Sequence, residues 1–542
     1  MTDARADMVV TGQIVVEAHP DRLETAEALA IAEGRVVATG TRRDLLSAAP
    51  DAAHVKADGA AVVPGLHDFH LHLVGMARAR RSLDLAAAKS MDEIVARVAD
   101  LAVATGPDEW VRGDGWTEEV LDPGQLDRLE AVLGGRPAFL KSHDRHSAWA
   151  SAAALRLAGI GPGAADPEGG RFERDPQGHP SGVLRERAAD LVGERAGRLS
   201  GAGLQAALGE VVDELLAFGF TGATDAGDAT AANGVGTYRA MGESFSQLVA
   251  AARLLDGRLE ATLDIPAAAI DAASLAGLRT GASLAGSGTL RMGWAKVYAD
   301  GALGSRTAAV FAPYRCGGGT GILRLEPAEL DDVVRRARRS GIGLAIHAIG
   351  DRAASSVVDA LERGPRPGHG VPPDRMEHLQ LIRASDRRRL AALDVTASVQ
   401  PLHAPADRDT AERCWPDRLA DAYPWRSLAA AGARLAFGSD APIEPPDPWR
   451  AIHAAVHRRV PEDPGTGWLA DEGVSLEAAL AAYTMGPALG AGRSDIGHLH
   501  PGARADLAVL SCDLDTLKRA GSGLARVRSD LTMVRGRVVH RR

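Results

Sequence analysis

PGLHDFHLH, residues 64–72, is the stretch that decides how this chain is read. A Pro-Gly pair follows the apolar run AAVV, and His70 and His72 stand two positions apart on a strand or at its end. Side-chain alternation puts both on one face. Two imidazoles on one face can hold one divalent metal. The spacing alone is a weak signal, because His498 and His500 in GHLHPGARADL share it. That second pair sits in a turn with no other ligand type nearby and reads as surface.

Downstream of this stretch, short apolar strands alternate with Ala- and Arg-rich helical segments. The expected strands are AVVPGL near 61–66, TGATD near 221–225, RLEATLD near 258–264 and LRMGWAKVYA near 290–299. GIGLAIHA near 341–348, DRMEHL near 374–379, DVTASVQ near 394–400 and ARLAFGSD near 433–440 complete the set. Eight strands alternating with helices predict a closed (β/α)₈ TIM barrel, an α/β fold. About 145 residues separate the first two strands, far beyond an ordinary loop, so an inserted subdomain is expected over residues 76–205. The barrel domain as a whole spans 65–497.

Polar residues fall where these strands end. His347 closes GIGLAIHA, His378 closes DRMEHL, Asp440 closes ARLAFGSD, and Lys296 lies inside an apolar strand. Catalytic groups of (β/α)₈ enzymes gather at that end. A buried lysine is costly unless paired or modified. Any one of the six could be a satisfied core polar group; six suitable types at such ends are harder to explain that way.

Both termini are β-rich. MVVTGQIVV, ALAIAEGRVVATG and HVKADGAAVVPG open the chain, and ADLAVLSCD and LTMVRGRVVH close it. One small β domain built from residues 1–64 and 498–542 is the economical reading. The 542 residues exceed a single simple domain. With 62 Lys plus Arg against 71 Asp plus Glu, the net charge is −9, which argues against nucleic-acid binding. No apolar run has the length of a membrane span, and MTDARADMVV lacks a signal-peptide pattern. Cys316, Cys414 and Cys512 are an odd, widely spaced trio, so no disulfide framework is expected and the setting reads as reducing and cytoplasmic.

Taken together, AEALAIAEGRVVATG, VVPGLHDFHLH, GWTEEVLDPGQLDRL (115–129), KVYADGALGSRTA (296–308), HAIGDRA (347–353), RMEHLQ (375–380), SVQPLH (398–403), FGSDAPI (437–443) and PGARADLAVL (501–510) resemble the amidohydrolase superfamily, in its family 3 or YtcJ-like branch, which includes N-substituted formamide deformylases. The resemblance covers nearly the whole chain. It implies a barrel plus a small β-sandwich made from both termini, and a metal centre at the strand ends. It also implies that His70, His72, His347, His378 and Asp440 are metal ligands. Lys296 matches a lysine that can be carboxylated to bridge two ions, so one or two divalent ions, zinc, are expected.

The implied reaction is hydrolysis of a non-peptide carbon–nitrogen bond, such as that of an N-acyl or N-formyl amine, by a metal-activated hydroxide. Asp440 would relay the proton to the leaving amine. A deaminase, an ester or lactone hydrolase, and a non-catalytic binding protein on the same scaffold are the rivals. The partner is a small-molecule substrate; association as a homodimer stays open.

Departures from the family pattern sit near the site. His67 reads as a surplus polar group packed beneath it or as a partner of a ligand. In SHDRHSAW, Arg145 replaces the family's usual Gly between Asp144 and His146. Asp144 and His146 are expected to line the substrate pocket. Trp116 and Trp149 are either part of a partly apolar pocket roofed by the insertion or the insertion's own core. His453 and His457 have i, i+4 spacing without the HExxH glutamate and read as a helix face. CGGGTG (316–321) lacks a P-loop Lys-Ser/Thr and reads as a flexible loop.

Overall fold

The computed structural model describes residues 6–104, 106, 109–196, 201–227, 241–284, 288–519 and 521–542. Eight parallel strands form the barrel: Leu66–Leu71, Phe220–Asp225, Glu260–Pro266, Leu290–Tyr298, Leu344–Ala348, Arg375–His378, Thr396–Val399 and Arg434–Phe437. They lie side by side in chain order, as right-handed strand–helix–strand units dictate. Their near-continuous burial explains why they read as apolar runs rather than alternating ones.

The last strand meets the first through the residues that follow it. Asp440 N–H donates to His70 O at 2.7 Å, and His72 N–H donates to Ala441 O at 2.9 Å. A Cβ on Gly438 would lie 2.5 Å from the backbone nitrogen of His70, so only glycine permits this approach.

The first barrel strand corrects an expectation. It runs from Leu66 to Leu71, not through 61–66, because Ala53–Pro64 belongs to a different sheet. That sheet has seven strands, in the order Arg537–Arg541, Ser529–Val534, Leu507–Leu510, Ala53–Pro64, Met8–Ala18, Leu23–Ala32 and Arg35–Gly40. Strands from both ends of the chain thus share one ladder. The Arg35–Gly40 edge meets the segment before Leu507, since Arg35 forms a β-bridge with Arg504 and Ala505 donates to Gly34 O at 2.9 Å. Val10, Ile14, Leu29, Val62, Leu507 and Met533 fill the core enclosed between them.

The third sheet lies in the stretch between the first two barrel strands. Its order is Gly170–Arg174, Pro180–Glu186, Ser147–Ala150, Ala138–Ser142, Val111–Trp116 and Leu83–Asp84. Helices Met91–Ala104 and Leu126–Leu133 cover one face, burying Ile94, Val98 and Leu129 against Val111 and Leu140. Arg112 pairs with Phe139 and Asp114 with Lys141 in the parallel ladder. Alternation therefore turns these four residues to the opposite face.

The cysteines supply a second correction. Cys316 and Cys414 are joined by a disulfide of S–S 2.00 Å across 98 positions of sequence, and Cys512 is the free thiol. The loop after the fourth barrel strand folds back onto the helix after the seventh, so distance along the chain misleads. CGGGTG is anchored there by its first residue. Among the described residues, no helix is long and apolar enough to cross a membrane.

Candidate metal centre

The six residues at the strand ends converge. His70 is on the first barrel strand, with His72 one residue past its end; Lys296 is on the fourth, His347 on the fifth, His378 at the end of the sixth, and Asp440 just after the eighth. One ligand atom each from His70, His378 and Asp440 lie within 4.8 Å of one another. His72 Nε2 reaches Asp440 Oδ1 at 3.2 Å, and His70 Nε2 reaches the same oxygen at 3.4 Å. The His347 and His378 rings stand 4.6 Å apart, and those of His70 and His378 5.1 Å. His378 and Asp440 hold left-handed φ angles of 73° and 59°. Non-glycine residues in that region cluster at functional sites.

The histidines are oriented from behind. His70 Nδ1–H donates to the Glu377 carboxylate, His378 Nδ1–H to Gln400 Oε1 at 2.9 Å, and His347 Nε2–H to the Gly301 carbonyl at 3.0 Å. Each acceptor fixes the tautomer and leaves the other ring nitrogen with a free lone pair. That donor set, with a buried carboxylate, fits a divalent ion with N/O ligands. Glu377 is itself held by Arg375, Nε to Oε1 at 2.8 Å, and Arg375 also binds Asp264. Phe69 and Trp294 pack against the Arg375 guanidinium, at 4.8 and 4.6 Å to the ring centroids.

Charge states follow from these contacts. Burial disfavours charge on Asp440, yet its contacts with His70, His403 and His72 outweigh it and hold the carboxyl well below the usual range. Burial likewise opposes charge on Glu377, but Arg375 and His70 bring it down to about 2. Burial lowers Lys296 below the ordinary lysine value, more than Glu377 and Asp440 raise it. Burial also keeps His347 and His378 well below the usual imidazole range. Burial and Lys296 lower His70, but Glu377 and Asp440 outweigh them and raise it. A neutral amine is the form that reacts with carbon dioxide, and neutral imidazoles, as at His347 and His378, are the form that binds metal.

Several contributors carry no spacing signal in the sequence. Glu377 and Gln400 are the orienting acceptors already described. His403 Nε2 lies 3.3 Å from Asp440 Oδ2, on the side of the carboxylate away from His70. Glu444 lies 3.9 Å from His403 Nδ1. The motifs RMEHLQ and SVQPLH contain three of the four. A period-two pair of charged residues, Arg375 and Glu377, inside a buried strand was the available clue.

A cavity of about 440 Å³ opens from this centre toward the inserted sheet. Asp144 and His146 line it. Asp144 Oδ1 accepts from Ser142 Oγ at 2.6 Å and from His146 N–H at 3.0 Å, which fixes the turn. Arg145 adopts φ 61°, the conformation glycine supplies freely, and reaches Asp114 at 3.1 Å. His146 Nδ1 lies 3.0 Å from Glu186 Oε2, and Arg324 Nη1 3.2 Å from the same oxygen.

The tryptophan expectation is corrected. Trp116 and Trp149 are each 1% exposed and belong to the core under the insertion's helices, and neither lines the cavity. Trp116 Nε1 donates to Leu140 O at 2.8 Å. The indoles face the covered side of the sheet, and the cavity takes its charged side. His67 donates to or accepts from Thr224 Oγ1 at 2.9 Å beneath the site, and burial pushes it down to about 4. His453 and His457 stack on helix Pro448–His457, and His500 contacts Glu17, all away from the centre.

The chain is also similar to known proteins. The sequence profile of the amidohydrolase family matches residues 54–540. The putative amidohydrolase YtcJ of Bacillus subtilis is 29% identical over 526 residues, spanning 95% of this chain and 96% of its own. The N-substituted formamide deformylase of Arthrobacter pascens is 29% identical over 539 residues, spanning 95% and 94%. Among solved structures, a metal-dependent hydrolase from Pyrococcus horikoshii superposes with a TM-score of 0.73 at 26% identity, over 95% of this chain and 99% of that one.

Proposed function

Because the chain belongs to the amidohydrolase family, we propose that it is a metal-dependent hydrolase of a non-peptide carbon–nitrogen bond, its substrate an N-acyl or N-formyl amine. The observation that carries this reading is the meeting of one potential ligand atom each from His70, His378 and Asp440 within 4.8 Å of one another. His70, His72, His347, His378 and Asp440 would hold the ion, zinc by the N/O character of the set. Lys296, as its carbamate, would bridge to a second. A divalent ion held there polarises a carbonyl and lowers the pKa of water to about 7.

The protein's own groups supply the rest. Asp440, ionised at neutral pH, accepts a proton at its carboxylate and returns it to the departing amine nitrogen. His403 donates to Asp440 Oδ2 and keeps that oxygen oriented. Glu377 holds the His70 ring and favours its Nδ1–H tautomer, while Arg375 keeps Glu377 anionic. Asp144, His146 and Arg324 line the cavity and would orient the substrate. The similarity to the formamide deformylase supports an amide-type substrate over a ring-amine or lactone.

Metal analysis of the purified protein and a substrate panel test the proposal. The panel compares N-formyl amines, N-acyl amines, lactones and aminated rings. One or two equivalents of divalent metal, and chelator-sensitive hydrolysis of the first two groups, are expected. Metal-free protein, or turnover indifferent to chelators, would overturn it.

A further inference from the structure

The cavity has a second set of functional groups that the centre does not use. On the face of the inserted sheet opposite helices Met91–Ala104 and Leu126–Leu133, Arg112 and Lys141 come from adjacent strands, with the Arg112–Phe139 and Asp114–Lys141 pairings placing them diagonally across the ladder. Both line the cavity. The parallel register sets them one strand and two residues apart on one face, so both long side chains enter the same cavity.

Neither makes a direct ion pair. No hydrogen bond or ion pair within the described residues reaches Lys141 or Arg112, and Arg112 Nε is buried without a partner. Asp114 and Asp190 favour charge on Lys141, and Asp114 on Arg112, but the nearby acids make their direct ion pairs with other cations. Asp114 pairs with Arg145, Glu243 with Arg78 at 2.9 Å, and Glu186 with both His146 and Arg324. Asp190 faces Arg324 at 3.7 Å. Burial, then Arg145, lowers Lys141; burial, then Arg78, lowers Arg112. Two desolvated, unpaired cations in one cavity are costly unless a ligand neutralises them.

We propose that Arg112 and Lys141 form a subsite for a carboxylate carried by the substrate at the end remote from the scissile bond. The inference rests on the amide-hydrolase reading and narrows it to N-acyl or N-formyl amines with an anionic tail, such as ω-amino carboxylates. A singly charged carboxylate suits the subsite better than a phosphate dianion, since Asp114 and Asp190 also border it. Arg145, in the position the family pattern gives to glycine, neutralises Asp114 and leaves Lys141 available. The scaffold is a rigid sheet, so the distance between centre and subsite sets the preferred chain length.

The test uses the metal-loaded enzyme and N-formyl-6-aminohexanoate beside its neutral methyl amide, with shorter homologues of both. In the wild type the carboxylate is expected to have a kcat/KM at least ~10²-fold above the amide, from one charge-assisted anchor of about 3 kcal/mol. Arg112→Gln and Lys141→Met should collapse that ratio toward one, and Lys141→Arg should keep most of it. Equal kcat/KM for both compounds in the wild type, or a ratio untouched in both variants, would overturn the subsite. If neither compound nor any other amide is hydrolysed, the amide reading fails, and calorimetry with 6-aminohexanoate decides the subsite separately. Binding weakened tenfold or more by Lys141→Met supports it; equal affinity in wild type and variants refutes it.

Discussion

Lys296 Nζ stands 3.4 Å from His70 Nε2, the ring nitrogen that faces the proposed metal position. As an ammonium the lysine would repel an ion there; as a carbamate it would bind one. Reconstitution of metal-free protein is therefore expected to depend on bicarbonate, with slower and less complete recovery in buffer stripped of carbon dioxide. Lys296→Met should lose about 10³-fold or more in kcat, and elemental analysis should find no more than one ion per chain.

Glu377 tests the support behind the ligands. Glu377→Gln keeps the shape but removes the charge that orients His70. Metal affinity should fall about 10–100-fold, read by competition with a chromophoric chelator. Arg375 and Asp264, left around a neutral side chain, should also cost measurable stability in urea unfolding.

Glu260 joins the barrel to the terminal sheet. It accepts from Arg493 Nη1 at 2.6 Å and from Arg504. Burial raises its pKa, but Arg504 and Arg493 outweigh burial and hold it below the ordinary value of 4.5. A carboxyl depressed on folding adds stability that is whole above its unfolded pKa and drains as pH falls through the folded one. Unfolding below about pH 4.5 should thus be steeper in the wild type than in Glu260→Gln. At pH 7 the variant should be less stable by about 1.5–3 kcal/mol, because Arg493 and Arg504 lose a shared charged acceptor while keeping Asp495 and Asp506.

The Cys316–Cys414 bond closes a long loop, and its removal is expected to cost about 2–4 kcal/mol. Differential scanning calorimetry with and without reductant would show it as a lower Tm. The Cys316→Ala, Cys414→Ala double variant should match the reduced protein and be indifferent to reductant.

Much of this was legible because the chemistry is local. His70, His347, His378 and Asp440 each close a buried strand, and a polar group in that place is conspicuous against an apolar run. Glu377 and Gln400 were not, since they act through another residue and adopt no spacing of their own. The indoles Trp116 and Trp149 misled for a related reason. A sequence shows that a tryptophan is in an insertion, but not which face of the sheet it takes, and a one-residue change of phase separates core from cavity. The pairing of Cys316 with Cys414 depends on how two loops return over the barrel, which no pattern within either loop encodes.

The seam between the first and last barrel strands has a consequence for how the protein is made. Ser439 N–H donates to Asp68 across 371 positions of sequence, beside the contacts of Asp440 with His70 and of His72 with Ala441. A ribosome must therefore release most of the chain before His70 and His72 have Asp440 opposite them. Until then the nascent polypeptide displays imidazoles without their carboxylate, and a metal encountered early would find only part of its cage. On the proposed function, ion capture would be deferred to the closing step of folding, and a filled centre would report that the whole barrel has been completed.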